Sequence, residues 1–266
     1  MTFTVDVEPE GPAGHHDCVA LTCRLMELLE AGGGHGTFFI LGSLARQQPG
    51  LVREIAARGH EVACHGLHHR PLEHSTPDAL RAELTEARLL LEDLSGGPVL
   101  GFRAPMFSLT RRSAWAVPVL AEAGFRYSSS VLPAWNPMHG WPGAPRRPFH
   151  FAAGVLEIPV PLGRLGPFDL PFLGGMYLRY LPPWRLRQFS AQNRAAAGLW
   201  CYCHPYDVDT GRAGAAHSDR GALARLFLRS NRGVAAPRLV GLMDGRRSRP
   251  FVERLDQLAA EAPLFN

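Results

Sequence analysis

Thr37-Phe38-Phe39-Ile40-Leu41 is a short apolar run, and Glu61-Val62-Ala63-Cys64 is another. Between them, Leu51 to Arg58 has the spacing of a helix, ended at Gly59. Strand, helix and strand in so short a span read as a parallel pair joined by a crossover. Working outward, the pattern repeats. Thr2 to Val7 reads as a buried strand. Asp17 to Ala31 carries apolar residues at Val19, Leu21, Leu25, Leu28 and Leu29, and Gly32-Gly33-Gly34 stops it as a helix. Thr76-Pro77 opens a long helix through Leu94, with Thr76 as cap and Pro77 at the first helical position. Pro98 to Phe102 is a strand, Thr110 to Ala123 a helix, and Phe125-Arg126-Tyr127 begins a fifth strand.

Alternating strands and helices with short links predict an α/β fold, a parallel sheet covered by helices. An open doubly wound sheet and a closed barrel both fit this pattern. From Leu132 to Pro183 the pattern breaks. The stretch is rich in proline and carries Trp135, Trp141, Phe149 and Phe151. It is too apolar for a linker and too broken for helix, so it reads as a long ordered insertion shaping the cleft, with a short strand at Val155-Leu156-Glu157-Ile158. The pattern then resumes. Trp184 to Ala197 is a helix, Leu199 to Cys203 a strand, Gly221 to Ser230 a helix and Pro250 to Ala260 a terminal helix.

At 266 residues with 46% hydrophobic and 20% charged residues, the composition is that of a globular chain, read as a single domain over 1–266. No stretch approaches ~20 uninterrupted apolar residues, so no transmembrane helix is expected. All 28 basic residues are arginine. The lack of lysine excludes a Schiff-base lysine and the lysine of a P-loop. The net charge of +4 is spread without a dense basic run, so no nucleic-acid partner is expected. Five cysteines without a CxxC pair argue against a cysteine zinc site and fit a reducing compartment. The first residues lack a basic patch followed by an apolar core, so a cytoplasmic protein is the expectation.

The chemistry-bearing residues sit where predicted strands run out. His65-Gly66-Leu67-His68-His69 ends the third strand. If the chain turns helically there, His65 can aim with His69, or alternatively with His68, at one metal ion. Asp6-Val7-Glu8 ends the first strand, and alternation puts Asp6 and Glu8 on one side. Gly101-Phe102-Arg103-Ala104-Pro105 offers an arginine at a strand tip, a partner for a buried carboxylate. Cys203-His204-Pro205-Tyr206-Asp207 offers a histidine able to act as a general acid. One cleft holding this set suits metal-assisted hydrolysis.

In this order the motifs resemble the polysaccharide deacetylase superfamily, with its NodB-homology fold of the family 4 carbohydrate esterases. The motifs are Asp6-Val7-Glu8, Thr37-Phe38-Phe39, His65 and His69, Arg103-Ala104-Pro105, and Cys203-His204-Pro205. The likeness is closest to the branch working inside the cell on exopolysaccharides and surface glycans. It implies a distorted (β/α)7-type barrel and removal of an N-acetyl group from an amino sugar or glycan intermediate. By that resemblance Asp6 is the general base and Arg103 orients it. Glu8, His65 and His69 hold a divalent metal, Zn²⁺ before others. His204 protonates the leaving amine. Met106 offers a backbone N–H to the oxyanion, and Tyr206 and Gly175 lie at the substrate.

Two positions depart from the family pattern. Glu8 stands where many members have aspartate, which keeps oxygen ligands. Ser128 stands where relatives carry the aspartate that supports the catalytic histidine, so His204 is expected to be a weaker cation. Either Asp207 or Asp209 substitutes, or activity is reduced. Two other readings follow: hydrolysis of a different small amide or C–N bond, and a sugar-binding homologue with weakened catalysis. The expected partner is an N-acetylated sugar or glycan, and self-association is compatible with the sequence.

Overall fold

The computed structural model describes residues 1–9, 15–193, 198–210, 230–243 and 247–265. The helix expected over Gly221 to Ser230 falls, but for its last residue, outside them. The strands are β1 (Thr2–Val7), β2 (Thr37–Ile40), β3 (Glu61–Cys64), β4 (Gly101–Phe102), β5 (Tyr127–Ser128), β6 (Phe149–Phe151), β7 (Leu156–Glu157), β8 (Leu162–Leu165), β9 (Phe168–Pro171), β10 (Trp200–Cys203) and β11 (Leu264–Phe265). The helices that matter here are α1 (His15–Ala31), α2 (Gly42–Gln47), α3 (Pro49–Ala57), α4 (Pro77–Ser95), α5 (Ala116–Glu122), α6 (Gly175–Tyr180) and α7 (Pro183–Gln192).

One sheet runs in the order β10-β1-β2-β3-β4-β5-β7-β6-β11, and β8 pairs with β9 as a separate hairpin. The first seven strands of that order are mutually parallel; β6 is antiparallel to β7. The two ends of the parallel run meet through a side chain: Trp200 Nε1 on β10 donates to the Pro159 carbonyl just after β7, at 2.9 Å. The sheet therefore curls into a distorted seven-stranded barrel, as the resemblance implies. Within the proline- and aromatic-rich stretch, Leu156–Glu157 provides the seventh strand.

Strand parity then sorts the side chains. Phe3, Val5 and Val7, with Phe38, Ile40, Val62, Cys64, Phe102, Cys201 and Cys203, face the helices and form the outer core. The opposite parity points inward. Phe39, Ala63, Tyr127, Leu156 and Trp200 fill the barrel, joined by Phe251. Burying each large apolar side chain contributes roughly 1.5–3 kcal/mol. Toward the start of the strands the interior is sealed by Glu61, which accepts from Tyr127 Oη (2.7 Å), Thr37 Oγ1 (2.7 Å) and the Val252 N–H (3.0 Å). Burial pushes this carboxyl up from its ordinary range, although these bonds oppose the shift.

Local chemistry sets the element ends. Thr76 Oγ1 accepts from the Ala79 N–H and Pro77 takes the first turn of α4, which closes at Gly96 with φ 71°. The helix expected over Thr110 to Ala123 is broken: a 3₁₀ turn spans Arg111–Ser113 and α5 begins only at Ala116. Pro118 explains this, because it lacks an N–H and clashes with the preceding turn, so it fits only in a first turn. The terminal helix expected over Pro250 to Ala260 is shorter, a 3₁₀ turn at Val252–Arg254 leading into Leu255–Ala259.

Candidate active site

The inward parity continues past the strand ends, and it delivers the site. Asp6 follows Thr2 and Thr4 on β1, His65 follows Glu61 and Ala63 on β3, Arg103 follows Gly101 on β4, and His204 follows Trp200 and Tyr202 on β10. All four point into the carboxyl-terminal mouth of the barrel, where parallel barrels gather function.

Arg103 is fully buried. Its Nη1 donates to Asp6 Oδ1 at 2.6 Å and to Thr4 Oγ1 at 2.8 Å. Nε donates to the Ser129 carbonyl and Nη2 to Ser129 Oγ, each at 3.0 Å. The guanidinium lies between the Phe39 ring (4.0 Å) and the Trp200 ring (4.4 Å). Its fork geometry and the stacking rings leave Asp6 one orientation.

Glu8 lies two residues on, at the rim. Its Oε2 is 2.6 Å from His69 Nε2 and 3.6 Å from His65 Nε2. His65 Nδ1 faces the Arg103 carbonyl at 2.9 Å. A carbonyl only accepts, so Nδ1 carries the proton and Nε2 presents its lone pair to the cluster. One ligand atom from each of Glu8, His65 and His69 lies within 4.8 Å of the others. Glu8 Oε2 is buried and has no well-aligned hydrogen bond despite these close nitrogens. Converging lone pairs with an orphaned carboxylate oxygen are what a divalent cation would satisfy, and the two-imidazole, one-carboxylate set fits Zn²⁺ or a similar ion. Burial alone would raise the Glu8 carboxyl; the His65 and His69 imidazoles set against it and the charge of His204 hold it well below its usual range.

The structure also decides between the two histidine pairs. His69, not His68, joins His65. The chain does not turn helically here; Gly66 adopts φ +88°, a left-handed conformation open to glycine, and a bend carries His69 back over Glu8.

His204 completes the mouth. Its Nε2 is 3.7 Å from Glu8 Oε1, and its Nδ1 is 3.1 Å from Asp207 Oδ2, which also accepts from the His204 backbone N–H at 2.9 Å. The Tyr206 ring stacks on the imidazole at 4.7 Å, and its hydroxyl reaches Glu8 Oε1 at 3.4 Å. Burial would lower the His204 pKa, but the bond to Asp207 and the charges of Glu8, Asp207 and Asp6 raise it to about 9. The expectation of a weaker cation is thereby overturned. Ser128 is not the support, because Tyr127 and Ser129 point inward and Ser128 between them points outward. There its hydroxyl bonds Ser130 Oγ (2.8 Å). Of the two acids named as substitutes, Asp207 holds His204, whereas Asp209 pairs with Arg232 at 3.5 Å.

Met106 and Phe107 both have positive φ, 58° and 53°, directly after Pro105. Two consecutive left-handed non-glycine residues cost about 1–3 kcal/mol each. The turn is held by the Phe107 N–H bonding Ala104 O (3.1 Å) and by the Phe107 ring packing on Tyr202 (5.1 Å) and Trp200 (6.2 Å). Gly175 is buried against the Tyr202 ring, within 3.2 Å of where its Cβ would stand. Sequence reasoning missed Arg179, whose Nε lies 3.3 Å from Asp207 Oδ1 with both side chains almost fully buried. It also missed Glu157, which accepts the Ser130 and Val131 N–H groups at 2.7 and 2.8 Å and so fixes the strand exit behind Arg103.

Residues 1–128 match the family model for polysaccharide deacetylases. This part of the chain, residues 1–128, belongs to the polysaccharide deacetylase superfamily. Residues 129–255 match a second model, a domain of unknown function (DUF3473). The deacetylase match thus carries Asp6, Glu8, His65, His69 and Arg103, and the second carries His204, Asp207 and Arg179. Among curated superfamily members, the chitooligosaccharide deacetylase of Rhizobium leguminosarum bv. trifolii is 29% identical over 114 residues, 43% of this chain and 48% of that protein. The chain spans about a quarter to a half of the length of the curated relatives it matches. Among solved structures, a candidate polysaccharide deacetylase from Mycobacterium smegmatis aligns with TM-score 0.65 at 22% identity, covering 98% of this chain and 90% of that one. A family 4 carbohydrate esterase from Streptomyces lividans, in complex with acetate, aligns with TM-score 0.50 at 17% identity, covering 92% and 88%. These two likenesses are likenesses of fold. No helix among the described residues is long and apolar enough to cross a membrane.

Proposed function

We propose that this chain is a metal-dependent hydrolase that removes the N-acetyl group from an amino sugar within a glycan or glycan intermediate. The observation carrying this reading is the convergence at one barrel mouth of an Arg103-held carboxylate, a Glu8/His65/His69 donor set and a cationic histidine. A divalent ion bound by Glu8, His65 and His69 would supply Lewis-acid polarisation of the amide carbonyl and acidify a water molecule. Asp6 accepts the proton of the attacking water, because Arg103 holds its carboxylate in one orientation. The Met106 N–H, presented by its left-handed turn, donates to the developing oxyanion. His204, protonated near neutral pH, gives its Nε2 proton to the departing amine and so prevents expulsion of an unprotonated amide.

Family membership and the sugar deacetylases among the relatives support the amino-sugar substrate over other amides. The cysteine usage read above supports a reducing, cytoplasmic setting. The binding-only reading rested on Ser128 alone, and Asp207 at 3.1 Å from His204 favours catalysis instead. The test is acetate release from hexa-N-acetylchitohexaose by wild type and Asp6→Asn. Release that survives Asp6→Asn unchanged would reject the assigned base.

A further inference from the structure

We propose that Arg179, acting through Asp207, is the positioning residue for the His204 acid, so that the half of the chain matching a domain of unknown function supplies the proton-donating arm of the site. This rests on the deacetylase reading above. Asp207 divides its two oxygens. Oδ2 takes both the backbone N–H and the Nδ1 of His204 at 2.9 and 3.1 Å. Oδ1 faces Arg179 Nε at 3.3 Å. Arg179 and Asp207 are each only 2% exposed. With Oδ2 engaged by His204, the guanidinium stops the carboxylate from rotating, which fixes the imidazole plane and leaves Nε2 facing the cluster.

The segment carrying Arg179 is built to hold this geometry. Gly174 bridges Tyr202 on β10, and the Tyr202 N–H bonds the Leu173 carbonyl at 2.8 Å. A Cβ on Gly174 would fall 2.0 Å from the Tyr202 ring, so only glycine permits this approach. The start of α6 is thus fastened to β10 two residues before His204. Farther along, Arg179 Nη1 donates to the Ser230 carbonyl at 3.2 Å, and Arg238 donates to the Leu178 and Leu181 carbonyls at the end of α6. Neither alternative support takes this role: Asp209 faces Arg232 and the Ser128 hydroxyl bonds Ser130.

The experiment compares wild type with Arg179→Met, Arg179→Lys, Asp207→Asn and Arg179→Met/Asp207→Asn in the full chain. Three readouts are taken: circular dichroism for the fold, long-range ¹H–¹⁵N spectra of the His204 ring, and kcat and KM for acetate release from hexa-N-acetylchitohexaose. A positioning role predicts folded Arg179→Met with kcat down about 10–100-fold, KM within about twofold, partial recovery in Arg179→Lys, and, in spectra recorded at alkaline pH where the ring is neutral, loss of the single Nδ1-protonated tautomer. Unchanged kcat and an unchanged His204 pattern in a folded Arg179→Met would overturn the proposal. If Arg179→Met does not fold, the double variant is compared with Asp207→Asn alone: equal kcat and an equal His204 pattern support action through Asp207, and a further loss overturns it. If wild type releases no acetate, the deacetylase reading fails on that sugar, and the His204 spectrum alone decides for or against Arg179.

Discussion

Arg103 and Asp6 form an ion pair at 2.6 Å in which the arginine side chain is fully buried and the aspartate is 4% exposed. The pair is central to both the fold and the chemistry. Breaking one partner leaves the other charge uncompensated in the barrel interior. Arg103→Met is expected to cost about 3–5 kcal/mol of stability, read as a lowered urea midpoint. Asp6→Asn keeps a hydrogen-bond acceptor for Nη1, so its stability should change less than that of Arg103→Met while acetate release falls by about 10²–10⁴-fold. Equal destabilisation by both variants would contradict the assigned division of roles.

The pH dependence follows from His204. Its pKa is raised to about 9, above the ordinary histidine value near 6.5. The charged form is the proton donor, so activity should hold through neutral pH and fall along an alkaline limb. A cation on Glu8 would remove part of the charge that raises His204, so the limb in metal-loaded protein should lie below that of metal-free protein. For stability the sign is that of a raised base: the contribution is full below about pH 6.5 and lost as pH rises through about 9. Asp207→Asn should lower the His204 value. Histidine ring titration by NMR in metal-free protein checks this, and an unmoved midpoint would refute the Asp207 assignment.

Ser128 yields a counter-intuitive expectation. Restoring the family's aspartate there should not raise activity. Ser128 pairs in register with Glu157, a buried carboxyl already pushed up by burial despite hydrogen bonds from the Val131 and Ser130 N–H groups. Ser128→Asp would set a second carboxylate beside it, so a lower melting temperature and no gain in acetate release are expected. Ser128→Ala removes a buried hydroxyl bond and should cost about 1 kcal/mol with kcat unchanged. A rise in kcat on Ser128→Asp would show that the residue faces the site after all.

Tyr206 gives a fourth test. Its hydroxyl reaches the Glu8 carboxylate and its ring stacks on His204. Tyr206→Phe keeps the stack and loses the hydroxyl, so metal affinity should weaken by less than about 10-fold. Tyr206→Ala loses both and should also lower kcat. Competition with a chelating dye measures the first effect and acetate release the second.

The barrel and most of its mouth were legible because parallel strands announce themselves as short apolar runs and because function collects where those runs end. Asp6, Glu8, His65, Arg103 and His204 are all of this kind. What was not legible depends on pairing rather than pattern. β5 is two residues long, so nothing in Tyr127-Ser128 says which side chain faces inward; the pairing with β4 and β7 decides it. The choice of His69 over His68 turns on the left-handed Gly66, a backbone state the spacing of histidines does not encode. Arg179 sits in a short helix, one arginine among 28, and only the fold brings it to Asp207. The break before α5 was legible in principle, since Pro118 restricts where a helix can begin.

The central claim is that Glu8, His65 and His69 hold a metal ion beneath a water-activating carboxylate. Metal content of the purified full chain, measured for wild type beside His65→Ala/His69→Ala, tests it without a choice of substrate. The account predicts near-stoichiometric divalent metal in wild type and its loss in a folded double variant. Wild type that takes up no metal on reconstitution, or a double variant that keeps it, would contradict the account.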